Sequence, residues 1–200
     1  IKTGEAEVPE FSSLELRDVT FTYDFSDKPK YEWHNADWEM PAGEHSSAEA
    51  LKNVSLSLSR GEKIAIVGYN GAGKTTLIKL LMRLYDPTSG QILMNGRDIR
   101  EYDLDAYREK IGVVFQDFKI YAASIAENVM NGDYDPEHDR ETVIAALDKA
   151  GFSEKLATLE QGVDTTLTRE FDKKGTNLSG GEGQKVAIAR VFARDYELII

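Results

Sequence analysis

The chain contains no cysteine. Disulfide frameworks, thiolate metal sites and cysteine nucleophiles are therefore excluded. Histidine is scarce, with three scattered residues, so a histidine-built metal centre is not expected. No apolar run approaches the roughly 20 residues of a membrane-spanning helix. No basic-then-apolar leader opens the sequence. Positive charge is the minority sign: 24 Lys+Arg stand against 35 Asp+Glu, a net of -11. An acidic surface repels nucleic acid and anionic lipid, so no nucleic-acid partner is expected, while a small local anion site stays compatible with it. The 200 residues fit one domain or two small ones at roughly 150 residues per domain. Such a length buries a core without staples. The chain opens at Ile1 and closes in an apolar run, Glu197-Leu198-Ile199-Ile200, whereas natural ends are more often polar. It reads as a piece of a longer protein, soluble and cytosolic as written.

Residues 1–13 are polar and read as an N-terminal arm. Leu14, Leu16, Val19, Phe21 and Tyr23 alternate as in a strand, with one break at Arg17-Asp18. Asp24 to Ala50 has no period and holds seven acids, two lysines, both tryptophans (Trp33, Trp38) and the histidines His34 and His45. It reads as an acidic insertion, since so long a structureless loop is unusual inside a compact domain. The tryptophans are expected to anchor it and the histidines to be solvated. Leu51 to Leu58 looks like a strand, and Lys63 to Gly68 like a short strand buried on both faces. Leu77, Leu80, Leu81 and Leu84 then mark one face of a helix. Gln91–Met94 is a strand with an Asn95-Gly96 turn, Asp105–Lys110 a short helix and Ile111–Phe115 another buried strand. Helix dominates from Ser124 to Asn177, where Val143, Ala146, Leu147 and Ala150 keep helical spacing and Gly151 suits a left-handed helix end. A further helix spans Gly181–Arg194, and Glu197–Ile200 begins a strand. The order is α/β with a helical subdomain.

The sharpest motif is Gly68-Tyr69-Asn70-Gly71-Ala72-Gly73-Lys74-Thr75, a full G-x-x-x-x-G-K-[ST] P-loop. A triphosphate needs several backbone N–H groups aimed inward from a tight loop, and glycine permits both the dihedrals and the close approach. The following helix turns its positive N-terminus to the phosphates. Lys74 supplies a charge for the β- and γ-phosphates, and Thr75 a hydroxyl for Mg²⁺. The motif sits between a strand-like and a helix-like segment, which sets it apart from a chance Gly-rich turn. A second signal is Leu178-Ser179-Gly180-Gly181-Glu182-Gly183-Gln184, followed by Lys185-Val186-Ala187-Ile188-Ala189-Arg190. Alone, Ser-Gly-Gly before a helix is a generic N-cap. A third is Gln116, which follows Val113-Val114-Phe115; a lone Gln there is usually a solvated loop residue.

Together these motifs resemble the ATP-binding-cassette (ABC) family, whose signature LSGGQ opens such a helix; its usual fifth residue, Gln, is Glu182 here. Gln116 corresponds to that family's Q-loop glutamine, and the flanks Ser124-Ile125-Ala126-Glu127-Asn128 and Asn95-Gly96-Arg97-Asp98-Ile99 resemble the exporter-type branch. The resemblance covers Leu14–Tyr23 and Leu51–Ile200. It implies a P-loop NTPase core with an N-terminal antiparallel β-subdomain and a helical subdomain. The implied division is an arm, 1–13, and a nucleotide-binding domain, 14–200, with an insertion at 24–50, a helical subdomain near 117–178 and an incomplete C-terminal end. It further implies ATP and Mg²⁺ as ligands. Gly68, Tyr69, Asn70, Gly71, Ala72, Gly73, Lys74, Thr75 and Thr76 would hold the phosphates, with Thr75 and Gln116 at the metal. Tyr23 would stack on adenine, with Phe25 as its competitor. Ser179 and Gly181 would cap the γ-phosphate of ATP held by a second nucleotide-binding domain, in a homodimer or heterodimer. Lys74, Gln116, Ser179 and Gly181 are the expected catalytic set. The family's Asp-Glu pair, which carries the general base, would follow the Glu197–Ile200 strand. The expected role is an ATPase motor of an exporter, with transmembrane domains on the same chain and this domain at the cytoplasmic face of the membrane. The alternatives are a soluble ABC ATPase and a non-hydrolysing, ATP-gated dimerisation module.

Overall fold

A computed structural model describes residues 3–24, 47–168 and 175–200. The chain divides into two compact units, Ile1–Arg108 and Glu109–Ile200. Phe25, Trp33, Trp38, His34 and His45 lie outside the described residues. Among the described residues no helix is long and apolar enough to cross a membrane.

The first unit is built on a four-stranded antiparallel sheet. Its strands are β1 (Ser13–Asp24), β2 (Ser47–Ser59), β3 (Ser89–Met94) and β4 (Arg97–Asp98), in the order β2-β1-β3-β4. The β1–β2 pairing runs from Ser13↔Ser59 to Asp24↔Ser47, so Asp24 and Ser47–Ala50, the two ends of the expected insertion, are paired strand residues. The break in alternation at Arg17-Asp18 is a bulge: the register shifts between Leu16 and Val19, and Asp18 takes φ 48. The Asp18 amide donates to Ser55 Oγ at 3.0 Å, which gives the displaced backbone a partner. Beyond the bulge Val19 and Phe21 return to the core beside Leu14 and Leu16. The β3–β4 hairpin turns on Asn95 and Gly96, both at positive φ, as a two-residue turn of that twist requires. The arm is not loose. The Gly4 amide donates to Tyr102 O at 3.0 Å, the Asp103 amide to Ala6 O at 3.0 Å, and Phe11 is buried.

Helix α1 spans Lys74–Leu81 and buries Leu77, Leu80 and Leu81. It stops short of Leu84, which is exposed, because Arg83 turns left-handed at φ 50. The Leu84 amide then bonds Lys79 O at 2.8 Å and the Arg83 amide bonds Leu80 O at 3.0 Å, closing the last turn. Arginine occupies this position because its side chain is needed inward. It is fully buried and donates from Nη1 to Ile99 O at 3.0 Å. Helix α2 (Leu104–Glu109) buries Tyr107, whose hydroxyl donates to Leu81 O at 2.7 Å.

Lys63–Gly68 departs from expectation. It joins no sheet among the described residues, and Ile64 is 45% and Val67 88% exposed. An apolar run states what a strand would bury, but a strand forms only against a neighbour that completes its ladder. The sheet of this unit is antiparallel throughout and does not include the run.

In the second unit β5 (Ile111–Gly112) pairs in parallel with β6 (Leu198–Ile199). The ladder goes on through the Val114 amide to Ile200 O at 3.0 Å, while Phe115 is exposed, so the expected strand is shorter than its apolar run. Helices α3 (Ile125–Val129), α4 (Arg140–Lys149), α5 (Ser153–Leu156) and α6 (Gly180–Phe192) surround a core that includes Ile125, Val143, Leu147, Phe152, Leu167 and Val186. Val143, Ala146 and Leu147 are buried on α4, and Gly151 is left-handed at φ 73, as their spacing requires. The Phe152 amide reaches Leu147 O at 2.9 Å across that turn.

Candidate nucleotide-binding site

The P-loop leads directly into α1. Gly71 (φ 87) and Gly73 (φ 86) are left-handed. At Gly73 a Cβ would also lie 2.5 Å from Ala50 O and 2.7 Å from Leu51 Cδ2, so glycine is required by both dihedral and space. As N-cap of α1, Gly73 offers no side chain, and no acidic residue stands in the first turn. The positive end of α1 is thus left uncompensated by local side chains. Lys74 folds back over the loop, its Nζ donating to Gly68 O at 2.6 Å and Tyr69 O at 2.8 Å. The ammonium is therefore held over the concave side of a loop whose glycines keep it open. The arrangement suits a polyanion: one cation beside an uncapped helix end. Thr75 is exposed at the head of the helix, and its hydroxyl is a hard oxygen donor of the kind Mg²⁺ takes.

Tyr23 is near the end of β1, half-buried, with its hydroxyl 3.1 Å from Thr76 Oγ1. Its ring meets Phe21 edge-on (4.8 Å, 86°) and Tyr85 edge-on (5.6 Å, 84°). The structure therefore joins Tyr23 to the P-loop helix. It also adds Tyr85, which sequence reasoning missed because nothing in its spacing ties it to β1; only the chain reversal after α1 brings it there.

Gln116, Ser179 and Gly181 belong to the second unit. Gln116 is exposed in a turn after Phe115. Ser179 caps α6: its Oγ accepts from the Glu182 amide at 3.3 Å, and Glu182 Oε2 accepts from the Ser179 amide at 2.7 Å. The fold provides no reason for glycine at 180 or 181, since a Cβ at either would meet nothing within 4 Å. Bare backbone there leaves room for an approach from outside. Gly183, by contrast, packs under Phe118, whose Cε2 would lie 3.1 Å from a Cβ. A groove of about 420 Å³ runs beside Ser179, lined by Phe118, Ile120, Leu167, Leu178 and Gly183 among others.

A polar knot that sequence reasoning did not single out ties the segment after Gln116 to α6. Buried Asn128 accepts at Oδ1 from the Tyr121 amide (2.8 Å) and from Arg190 Nη2 (3.1 Å). Its Nδ2 donates to Tyr121 O and Ser124 O, both at 3.0 Å. Arg190 further donates to Asn128 O at 2.8 Å and Lys119 O at 2.7 Å. The Glu-Asn pair that begins at Glu127 was the available signal: Glu127 closes the capping box of α3 with Ser124, and Asn128 turns inward.

The chain is similar to known proteins. The yeast (Saccharomyces cerevisiae) mitochondrial iron-sulfur clusters transporter ATM1 is 45% identical over 157 residues, 78% of this chain and 22% of that protein. The subtilin transport ATP-binding protein SpaT of Bacillus subtilis is 42% identical over 154 residues, 76% of this chain and 25% of its own length. The chain thus spans about a quarter or less of these relatives. Among solved structures, a bacterial Atm1-family ABC exporter with ATP bound superposes with a TM-score of 0.76 at 32% identity, covering 100% of this chain and 30% of that one. The profile of the ABC transporter family matches residues 51–200. With the family profile over residues 51–200 and these relatives in agreement, this protein belongs to the ABC transporter family, with a nucleotide-binding domain of the exporter type.

Proposed function

We propose that the chain is the ATPase motor of an exporter, driving transport by ATP-dependent closure of two nucleotide-binding domains. ABC domains in general bind ATP with Mg²⁺ and hydrolyse it. The observation that carries the reading here is the P-loop: Lys74 over the Gly68 and Tyr69 carbonyls, with an uncapped α1 behind it. Gly68, Tyr69, Asn70, Gly71, Ala72 and Gly73 would present backbone donors to the β- and γ-phosphates. Lys74 would exchange its carbonyl partners for phosphate oxygens. Thr75 would supply an oxygen ligand suited to Mg²⁺, which when bound neutralises phosphate charge. Thr76 positions Tyr23 through its hydroxyl, and the Tyr23 ring offers a face to adenine. Ser179 and Gly181 would cap the γ-phosphate of a second copy or of a related partner domain. Bare Gly180 and Gly181 support that, because they leave room for an incoming anion. Membrane-spanning partner domains, and a place for this domain at the cytoplasmic face of the membrane, belong to this reading, and the relatives' roles as transporters and exporters support it. The general base would come from the carboxylate that the family places after the β6 strand; Gln116 can orient a water but is a poor proton acceptor.

The test is calorimetric titration with Mg-ATP. Lys74→Ala is expected to abolish tight binding without lowering the unfolding midpoint, because its bonds lie on an exposed loop. Wild-type affinity in the variant would remove the P-loop assignment.

A further inference from the structure

The signature helix α6 begins with an electrostatic conflict. Its first turn carries one acidic residue, Glu182, at an end whose proposed task is to receive an anion. A carboxylate there stabilises the helix through its dipole, but the same charge repels an arriving phosphate. A neutral glutamine would make the capping bond without that penalty. The structure shows where the charge goes. One carboxylate oxygen, Oε2, is tied to the Ser179 amide at 2.7 Å. The other, Oε1, faces Lys155 Nζ at 3.2 Å. Lys155 lies on the short helix α5, and both side chains of the pair are half-buried, 31% and 27% exposed. The Ser179 amide and hydroxyl, and then Lys155, hold the Glu182 carboxyl below the usual carboxylate range, so it stays ionised. The Ser179 hydroxyl also accepts from the Glu182 amide at 3.3 Å, which closes the capping box.

We propose that Lys155 is a positioning residue for the signature. It neutralises Glu182 and keeps that carboxylate turned onto the Ser179 amide, so that the end of α6 can receive the γ-phosphate of ATP bound to another copy. The inference rests on the reading of Ser179 and Gly181 given above. Lys155 itself touches no substrate. It acts through Glu182 alone, and its effect therefore vanishes when Glu182 is made neutral. A merely structural lysine would not behave so.

The experiment uses the full-length exporter in lipid nanodiscs and reads the ATP concentration for half-maximal turnover. Lys155→Met, which keeps the apolar stem, is expected to raise it about 3–10-fold at low salt, the scale of one unscreened charge at a helix end. Added NaCl shrinks the effect, and Lys155→Arg restores the wild-type value. In a Glu182→Gln background, Lys155→Met is expected to be silent. A silent Lys155→Met in the Glu182 background overturns the proposal, as does an equal effect in both backgrounds. Ser179→Arg, measured alongside by ATP-induced closure, tests the underlying reading separately. Loss of closure supports it; unchanged closure removes the role of the signature whatever Lys155 does.

Discussion

Asn128→Ala tests the claim that the segment after Gln116 is held to the signature helix by buried polar bonds. Asn128 is 0% exposed. Truncation removes the bonds from Oδ1 to the Tyr121 amide and Arg190 Nη2, and those from Nδ2 to Tyr121 O and Ser124 O. Three are neutral, at about 1 kcal/mol each, and the Arg190 bond is charge-assisted, at roughly 1.5–3 kcal/mol. Two effects reduce the sum. Arg190 keeps its bonds to the backbone carbonyls of Asn128 and Lys119, which survive the substitution. Tyr121 is exposed, so water reaches part of the orphaned backbone. The expected net loss is about 2–4 kcal/mol. Asn128→Asp separates the two halves of the side chain. It keeps an acceptor for Arg190 but sets a carboxylate against the Tyr121 and Ser124 carbonyls, so it is expected to destabilise at neutral pH and to recover partly on acidification, when the carboxyl gains a donor. The assay is urea unfolding followed by helical circular dichroism. A cost below about 0.5 kcal/mol for Asn128→Ala, the range of an ordinary surface change, would refute the reasoning.

Tyr23→Ala is expected to weaken ATP binding by roughly 1–3 kcal/mol, the scale of base–aromatic stacking, whereas Tyr23→Phe keeps the ring and is expected to cost less, about 0.5–1.5 kcal/mol for the hydroxyl that meets Thr76; calorimetry checks both, and a silent Tyr23→Ala would move the adenine platform elsewhere. Gly73→Ala meets both a left-handed φ of 86 and a backbone oxygen 2.5 Å from the new Cβ, so it should destabilise the chain and lose ATP binding together; an unchanged unfolding midpoint would contradict the crowding against Ala50. Glu182 has a lowered folded-state pKa, so its contribution to α6 is full above the ordinary carboxylate range and is lost as pH falls through the lowered value; the difference in unfolding midpoint between wild type and Glu182→Gln should therefore change with pH in that acid window, and a pH-independent difference would count against the capping box.

The local chemistry was legible in the amino-acid order because it depends on neighbours along the chain. Gly71, Gly73 and Lys74 shape the loop before α1 through their own dihedrals and reach. Leu77, Leu80 and Leu81 mark a buried helix face, and Ser179 with Glu182 caps its helix three residues on. Gly151 ends α4 for the same local reason. What lay beyond the sequence are features whose partners are far along the chain. Arg83 cuts α1 short of Leu84 because its guanidinium is drawn to Ile99 O, and helical periodicity has no term for that pull. Lys63–Gly68 has the composition of a buried strand, yet burial requires a neighbouring strand, which no pattern within the run supplies. Tyr85 beside Tyr23, Arg190 on Asn128 and Lys155 on Glu182 are likewise products of packing. A residue's order in the chain sets its dihedrals and its reach, but which distant charge or ring it meets is decided by how the elements fold against one another.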